Sequence, residues 1–312
     1  MSDLKLGADL AGTVGKIVAE ALGRRDRKLN RQRDLLTLLN IARIRALPPE
    51  TRLRDAEFRV FSQNGEDGII QFILRHCPEI PEIFVEFGVQ TYAEANTRLL
   101  LELGNWRGLI LDGDPRLEAE IIENEFYWRH DLLAKSAFIT RDNINELLSG
   151  SGLAGDIGLL SVDIDGNDYW VWQAIDAVNP AVVVCEYNSV FGPDLAVSVP
   201  YREDFERRQA HYSALYFGCS LAALCFLAER KGFDFIGSNS FGNNAFFIRR
   251  DLGHPFLPLT ARAGYVESRF RESLDRDGNR NYLRGPQRRG AIAHLPVIDV
   301  ATGAARLLGR ED

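Results

Sequence analysis

From about residue 58 to about residue 250, short apolar runs rich in β-formers alternate with stretches of helical periodicity. That alternation restricts the fold more than any other feature of the chain. IFVEFGV (83–89), GLILDGDP (108–115), IGLLSVDID (157–165) and AVVVCEY (181–187) read as strands, with a less defined strand around FYWRHDLL. Between them, NTRLLLELGN, RLEAEIIENEF, SAFITRDNINELLSG and DYWVWQAIDAV carry apolar residues at helical spacing, and a long helix is expected over about 212–230. Neighbouring parallel strands need a crossover between them, so strands alternating with helices imply βαβ units and a mostly parallel, doubly wound α/β sheet. FDFIGSN and NAFFIRR, joined by a short polar turn, predict an antiparallel final strand pair.

Two segments flank this region. Residues 1–50 form an N-terminal arm in which Leu6, Leu10, Val14, Ile17, Val18 and Ala21 recur at helical spacing before the basic run GRRDRKLNRQRD. A helical arm packing on its own or a sister subunit, a basic amphipathic segment touching a membrane surface, and a disordered tail all fit that pattern. A homo-oligomer follows from the first of these. Residues 251–312 are polar and arginine-rich and read as a C-terminal extension or dimer arm, which leaves 51–250 as the central domain.

The formal net charge of −7 argues against a nucleic-acid partner, which calls for a broad basic field. Cys77, Cys185, Cys219 and Cys225 show neither a CxxC pair nor metal-ligand spacing, so they read as buried hydrophobes in a reducing compartment. No apolar run reaches the roughly 18 residues of a transmembrane helix. MSDLKLGADLAG lacks the basic segment and apolar core of a secretory leader, so a cytoplasmic protein is expected.

Gly150-Ser-Gly152-Leu-Ala-Gly155 matches GxGxxG literally, but a helix precedes it and a strand follows. Phosphate binding needs the reverse order, so the segment reads as a plain αβ loop. Asp163, Asp165 and Asp168 echo a calcium loop, yet glycine falls at position four and Ala174 at position twelve, which rules that loop out. Location explains the acids better. Ligands of doubly wound sheets bind beyond the carboxyl ends of the strands, where Asp112, Asp163, Asp165 and Glu186 fall, with Asn188 close behind. Asp168 is the start of the next helix. Glu86 and Gly88, at the end of the first strand, suit a turn that lets a small ligand lie against the backbone. Asp112, ending the second, suits two ribose hydroxyls.

In order along the chain, SQNGEDGII, FVEFGV, NTRLLLE, GNWRGLILDGD, LLSVDIDGNDYWVW and VVCEYNS resemble the FkbM-type class I S-adenosylmethionine-dependent methyltransferases of polysaccharide and natural-product pathways. The resemblance covers roughly residues 58–250. It implies a Rossmann-like methyltransferase fold, S-adenosylmethionine as cofactor, and O-methylation of a hydroxyl on a sugar, glycan or glycosylated small molecule. Glu86, Gly88 and Asp112 fall on the family's cofactor motifs. Asp131 is placed near the adenine, and Gln63 and Glu66 either cover the cofactor or form a helix N-terminus. One departure is visible: after Gly88 the turn reads Gln90-Thr91-Tyr92, where such turns carry further glycines.

The acceptor hydroxyl needs its proton removed or its charge stabilised. The candidates are Asp163 and Asp165, His211 as a base, or a divalent ion. Asp163, Glu186 and Asn188 resemble the all-oxygen ligand set of metal-dependent O-methyltransferases, which favours Mg2+ or Mn2+. Direct hydrogen bonding of a polyhydroxylated sugar by the same groups stays open. His211 also fits a structural role, and Asn243 and Asn244 could line an acceptor pocket or simply form a turn. The remaining alternative is a methyltransferase-fold subunit that has lost catalysis and serves in binding or assembly.

Overall fold

The computed structural model describes residues 28–309 apart from 78, 124 and 125; the glycine-rich first part of the N-terminal arm lies outside the described residues. The chain divides into two compact units, Met1–Ala46 and Leu47–Asp312. In the first, residues 28–45 are helical. Thr37, Ile41 and Ile44 are buried along one face of that helix, while Leu35, Leu36, Leu38 and Leu39 are exposed.

The second unit is built on a seven-stranded sheet of β1 (Ile83–Phe87), β2 (Arg107–Asp112), β3 (Leu132–Ser136), β4 (Gly155–Val162), β5 (Val178–Glu186), β7 (Phe233–Ser238) and β8 (Asn244–Arg249). Its order is β3-β2-β1-β4-β5-β8-β7. Every pair from β3 to β5 is parallel, and β8 runs antiparallel to both β5 and β7. This is the expected α/β, Rossmann-like arrangement with its antiparallel final pair. The chain reverses its direction of travel across the sheet between β1 and β4, which opens the crevice where such folds bind ligands.

Both faces of the central strands are covered, as a parallel sheet requires. Val85, Leu109, Leu160, Val183 and Phe247 join one apolar cluster with the helices Ile144–Ser149, Asp168–Ala174 and Leu221–Lys231. Their alternate neighbours Phe84, Ile110, Leu159, Val182 and Phe246 are equally buried on the opposite face. Trp172 belongs to the core, packing on Phe233 and Phe247, and the half-buried Trp170 packs against that core and donates its indole N–H to the Val199 carbonyl at 2.8 Å.

Several boundaries differ from the sequence reading, for local reasons. The third strand begins only at Leu132, after FYWRHD. The helix from Asp168 ends at Ala174, and Asn179-Pro180 lies inside β5. The expected long helix starts at Leu221, where the Ser220 hydroxyl caps it by accepting from the Ala223 N–H at 3.1 Å. Upstream, Ala214 and Gly218 take left-handed backbone (φ 56° and 62°), which a helix cannot contain. The apolar run YSALYFG therefore enters as a loop, burying Leu215, Tyr216 and Phe217 in a second cluster with Phe191, Phe205, Ile292, Val297 and Leu308. That cluster lies under a small antiparallel sheet of β6 (Val197–Ser198), β9 (Pro296–Asp299) and β10 (Ala305–Leu307). The C-terminal extension thus folds back onto the central domain. Tyr187 donates its hydroxyl to the Val266 carbonyl at 2.7 Å, and Tyr265 donates to that of Ser189 at 2.7 Å. Among the described residues, no helix is long and apolar enough to cross a membrane.

Candidate functional site

A cavity of about 540 Å³ opens along the carboxyl edge of the sheet, across the ends of β2, β1, β4, β5 and β8. Neighbouring strands lie about 4.8 Å apart, so the β2 and β5 ends stand roughly 14 Å from each other. The cavity is a groove with two distinct halves.

The β1–β2 half is organised around Glu86 and Asp112. Glu86 is buried, and it accepts from the Asn96 N–H (2.8 Å), the Thr97 N–H (3.0 Å) and the Thr97 hydroxyl. Burial raises its pKa, and those hydrogen bonds oppose the rise. A single carboxylate therefore ties down the far end of the loop 88–97. Asp112 holds the near end by accepting from the Gln90 N–H at 2.6 Å, while its other oxygen accepts from the Asp114 N–H at 2.8 Å. Each carboxylate oxygen has two acceptor sites, so Asp112 keeps capacity for a ligand hydroxyl. Gly88 has φ 75°, and a Cβ there would lie 1.6 Å from the Asp163 carbonyl oxygen. Only glycine lets β1 turn this close to the end of β4. The missing later glycines are replaced by Gln90 (φ 48°) and Tyr92 (φ 59°), which take left-handed backbone themselves. The Tyr92 ring is fully buried and its hydroxyl pairs with the Thr97 hydroxyl at 3.0 Å. Phe138 and Ile139, just beyond β3, complete this half.

The β4–β5 half is different in kind. Asp163, Asp165 and Glu186 bring one carboxylate oxygen each within 4.8 Å of one another. Burial first, then the charges of Asp165 and Asp168, push the Asp163 carboxyl well above its usual range. Burial and the Asp163 charge do the same to Glu186. Arg207 closes this half. Its guanidinium donates to Asp165 at 2.6 Å, to Glu272, and to the Ala214 carbonyl at 2.8 Å, and it stacks on the Phe217 ring at 3.6 Å. Burial acts to lower the Arg207 pKa, but the carboxylates of Asp165, Glu186 and Glu272 outweigh it.

Of the other residues read from the sequence, Gln63, Asn243 and Asn244 line the cavity. Glu66 and Asp67 open the helix Glu66–His76 and do not line it. Asp67 collects the N–H groups of Val60, Phe61 and Ser62, whereas Glu66 receives the side-chain amides of Asn239 (2.7 Å) and Asn244 (2.9 Å). Asp168 accepts from the Ile164 and Gly166 N–H groups at its helix start, and burial pushes its pKa up to about 6.

Three placements need correction. Asp131 precedes β3 at the opposite end of the sheet, mostly exposed and 3.6 Å from Arg107, so it is remote from the groove. Asn188 does not line the cavity: its amide nitrogen donates to the Leu215 and Phe217 carbonyls (2.8 and 3.0 Å), its oxygen accepts from the Val190 N–H (3.0 Å), and the acidic group at the strand ends is Asp163, Asp165 and Glu186. His211 does not line the cavity; its ring pairs with the Ser213 hydroxyl at 2.8 Å and packs near Tyr212 and His294. Burial and the neighbouring His294 and Arg276 lower its pKa.

Sequence reasoning missed Arg207, Phe205, Phe270 and Glu272 as lining residues, because they come from segments with no strand-end signal. The nearest clue was the charge of REDFERR at 202–208, which resembles any solvated turn.

No family model and no curated protein matches the sequence. Among solved structures, the chain is similar to the N-terminal domain of EvdMO1, crystallised in the presence of SAH and D-fucose, at 12% identity and a TM-score of 0.39, with 67% of this chain and 93% of that one covered.

Proposed function

We propose that the protein is an S-adenosylmethionine-dependent O-methyltransferase of the FkbM type, acting on a hydroxyl of a sugar, glycan or glycosylated small molecule. The observation that carries this reading is one continuous groove joining the Gly88–Asp112 end of the sheet to the Asp163–Glu186 end. The groups present fit the cofactor: a glycine-limited close approach at Gly88, a carboxylate with spare acceptor sites at Asp112, and the flat apolar surface of Phe138 beyond it.

When bound, the cofactor supplies an activated methyl group on a sulfonium and needs little further help from the protein. Asp112 holds the ribose hydroxyls, and Glu86 keeps the loop 88–97 in its strained path. Asp163 orients the acceptor hydroxyl, and the Asp163–Glu186 pair receives its proton. Arg207 fixes Asp165 and moderates the negative charge. General-base help of this kind contributes about 10²–10⁴ in rate.

A divalent ion at Asp163, Asp165 and Glu186 is the competing reading for this half. The ligand atoms are hard oxygens suited to Mg2+ or Mn2+. Against it, the Arg207 guanidinium already occupies the outer side of Asp165 and would repel a second cation. Chelator that leaves methyl transfer unchanged would remove the metal from consideration.

Calorimetric titration with S-adenosylhomocysteine tests the whole reading. Micromolar binding that is lost in Asp112→Ala is the expected result. No binding up to millimolar cofactor would favour the alternative of a binding or assembly subunit that has lost catalysis.

A further inference from the structure

The acceptor half of the groove is lined with hydrogen-bond acceptors that lack donors. Asn244 is 4% exposed and Asn167 is 3% exposed, both line the cavity, and in each the amide oxygen is buried without a hydrogen-bond partner among the described residues. The amides cannot be turned round to cure this. The Asn244 amide nitrogen donates to the Glu66 carboxylate at 2.9 Å, and the Asn167 nitrogen donates to the Arg202 carbonyl at 2.8 Å. Carboxylates and carbonyls only accept, so either flip would set oxygen against oxygen. Glu186 Oε2 is likewise buried without a hydrogen-bond partner among the described residues. Glu186 and Asn244 are register partners on β5 and β8, which puts both side chains on one face of the sheet.

A buried acceptor left unmatched is disfavoured, so three of them in residues that line one cavity mark where a ligand's donors belong. Charge narrows the ligand further. Asp163, Asp165, Glu186 and Glu272 line the cavity with Arg207 as their local cation. Four carboxyl groups face one guanidinium, so negative charge is in excess.

We infer that this half of the groove reads the O–H and N–H donors of an acceptor that carries no phosphate or carboxylate, and that it prefers one bearing an ammonium group beside its hydroxyls. An amino sugar or aminated polyol is the class that meets both the acceptor-rich lining and the surplus negative charge. Nucleoside-diphosphate sugars, sugar phosphates and uronates are excluded from it. This rests on the methyltransferase reading above, because the acceptor half is defined by the cofactor half beside it.

The test uses the full-length protein saturated with S-adenosylhomocysteine, in low salt with chelator, titrated with glucosamine, glucose and glucuronate, which share one skeleton and differ in charge. Glucosamine is expected to bind tightest, with glucuronate at least about tenfold weaker, because like charges brought together at a site are strongly disfavoured. Asn167→Ala and, independently, Asn244→Ala are expected to weaken glucosamine several-fold while S-adenosylhomocysteine binding is unchanged; two variants are needed because Asn244 also holds Glu66. Glucuronate binding as tightly as glucosamine, no binding of any of the three, or full affinity in both variants would each overturn the inference. So would Mg2+ restoring glucuronate binding, since that result would put a cation where the ammonium is expected. Loss of S-adenosylhomocysteine binding in the wild type defeats the underlying reading instead, and is measured first in the same cell.

Discussion

The two halves of the groove use the same residue types to opposite ends. At β1 and β2, Glu86 and Asp112 spend their oxygens on backbone N–H groups, and the result is a loop held in one conformation. At β4 and β5, Asp163 and Glu186 face each other and two more carboxylates, with one guanidinium among them. The first arrangement holds its loop without a ligand, whereas the second keeps negative charge in excess until something supplies donors or positive charge. A carboxylate bonded to backbone amides builds structure, and a cluster of carboxyl groups without such donors marks chemistry.

The contrast can be broken most forcefully at the junction of the halves. Gly88→Ala places a methyl group on the Asp163 carbonyl at an unfavourable φ, and we expect a loss of about 4 kcal/mol or more in urea unfolding. In the β1–β2 half, Glu86→Ala strands the donors of Asn96 and Thr97 and should cost about 3 kcal/mol while abolishing cofactor binding by calorimetry. Retention of both stability and binding would mean that Glu86 does not hold the loop.

The β4–β5 half should respond in the opposite sense. The Asp163 carboxyl is raised in the folded state, so the folded protein binds that proton more tightly than the unfolded chain does. Its stabilising contribution is present at low pH and is lost as pH rises through the raised value. Asp163→Asn removes this loss. Its melting temperature at pH 8 should exceed the wild type's by a few degrees, each kcal/mol being worth about 2–4 °C for 150–250 residues, with a smaller or absent gain at pH 4. Methyl transfer should fall about 10²–10⁴-fold in the same variant. An equal change in melting temperature at both pH values would show that the acids do not repel each other. The smallest effect belongs to His211→Ala, which touches neither half: stability within about 0.5 kcal/mol and turnover within about twofold are expected.

How much of this could be read from the chain follows from the range of the interactions. Strand–helix alternation is written in local periodicity, so the parallel sheet, its antiparallel final pair and the strand-end positions of Glu86, Asp112, Asp163 and Glu186 were all legible. Gly88 was legible too, as a glycine at a strand end. Elements without periodicity misled. YSALYFG has the composition of a helix face, but its burial against the C-terminal extension was invisible locally. Asp131 was misplaced because a shift in the start of β3 moves a residue from one end of the sheet to the other.

Pairings across many residues were settled by the tertiary fold alone. Asn188 sits two residues after Glu186 and shares its chemistry, yet the loop 215–217 claims its amide and leaves the acidic triad to Asp165. Arg207 reaches Asp165 over 42 positions and Glu272 over 65, and Glu66 reaches Asn244 over 178. The order of residues along the chain dictated which groups stand at the carboxyl edge of the sheet, since that depends only on where each strand stops. Which of those groups are satisfied and which are left in want of a partner depends on segments that pack against them from far away in sequence, and no local pattern carries that information.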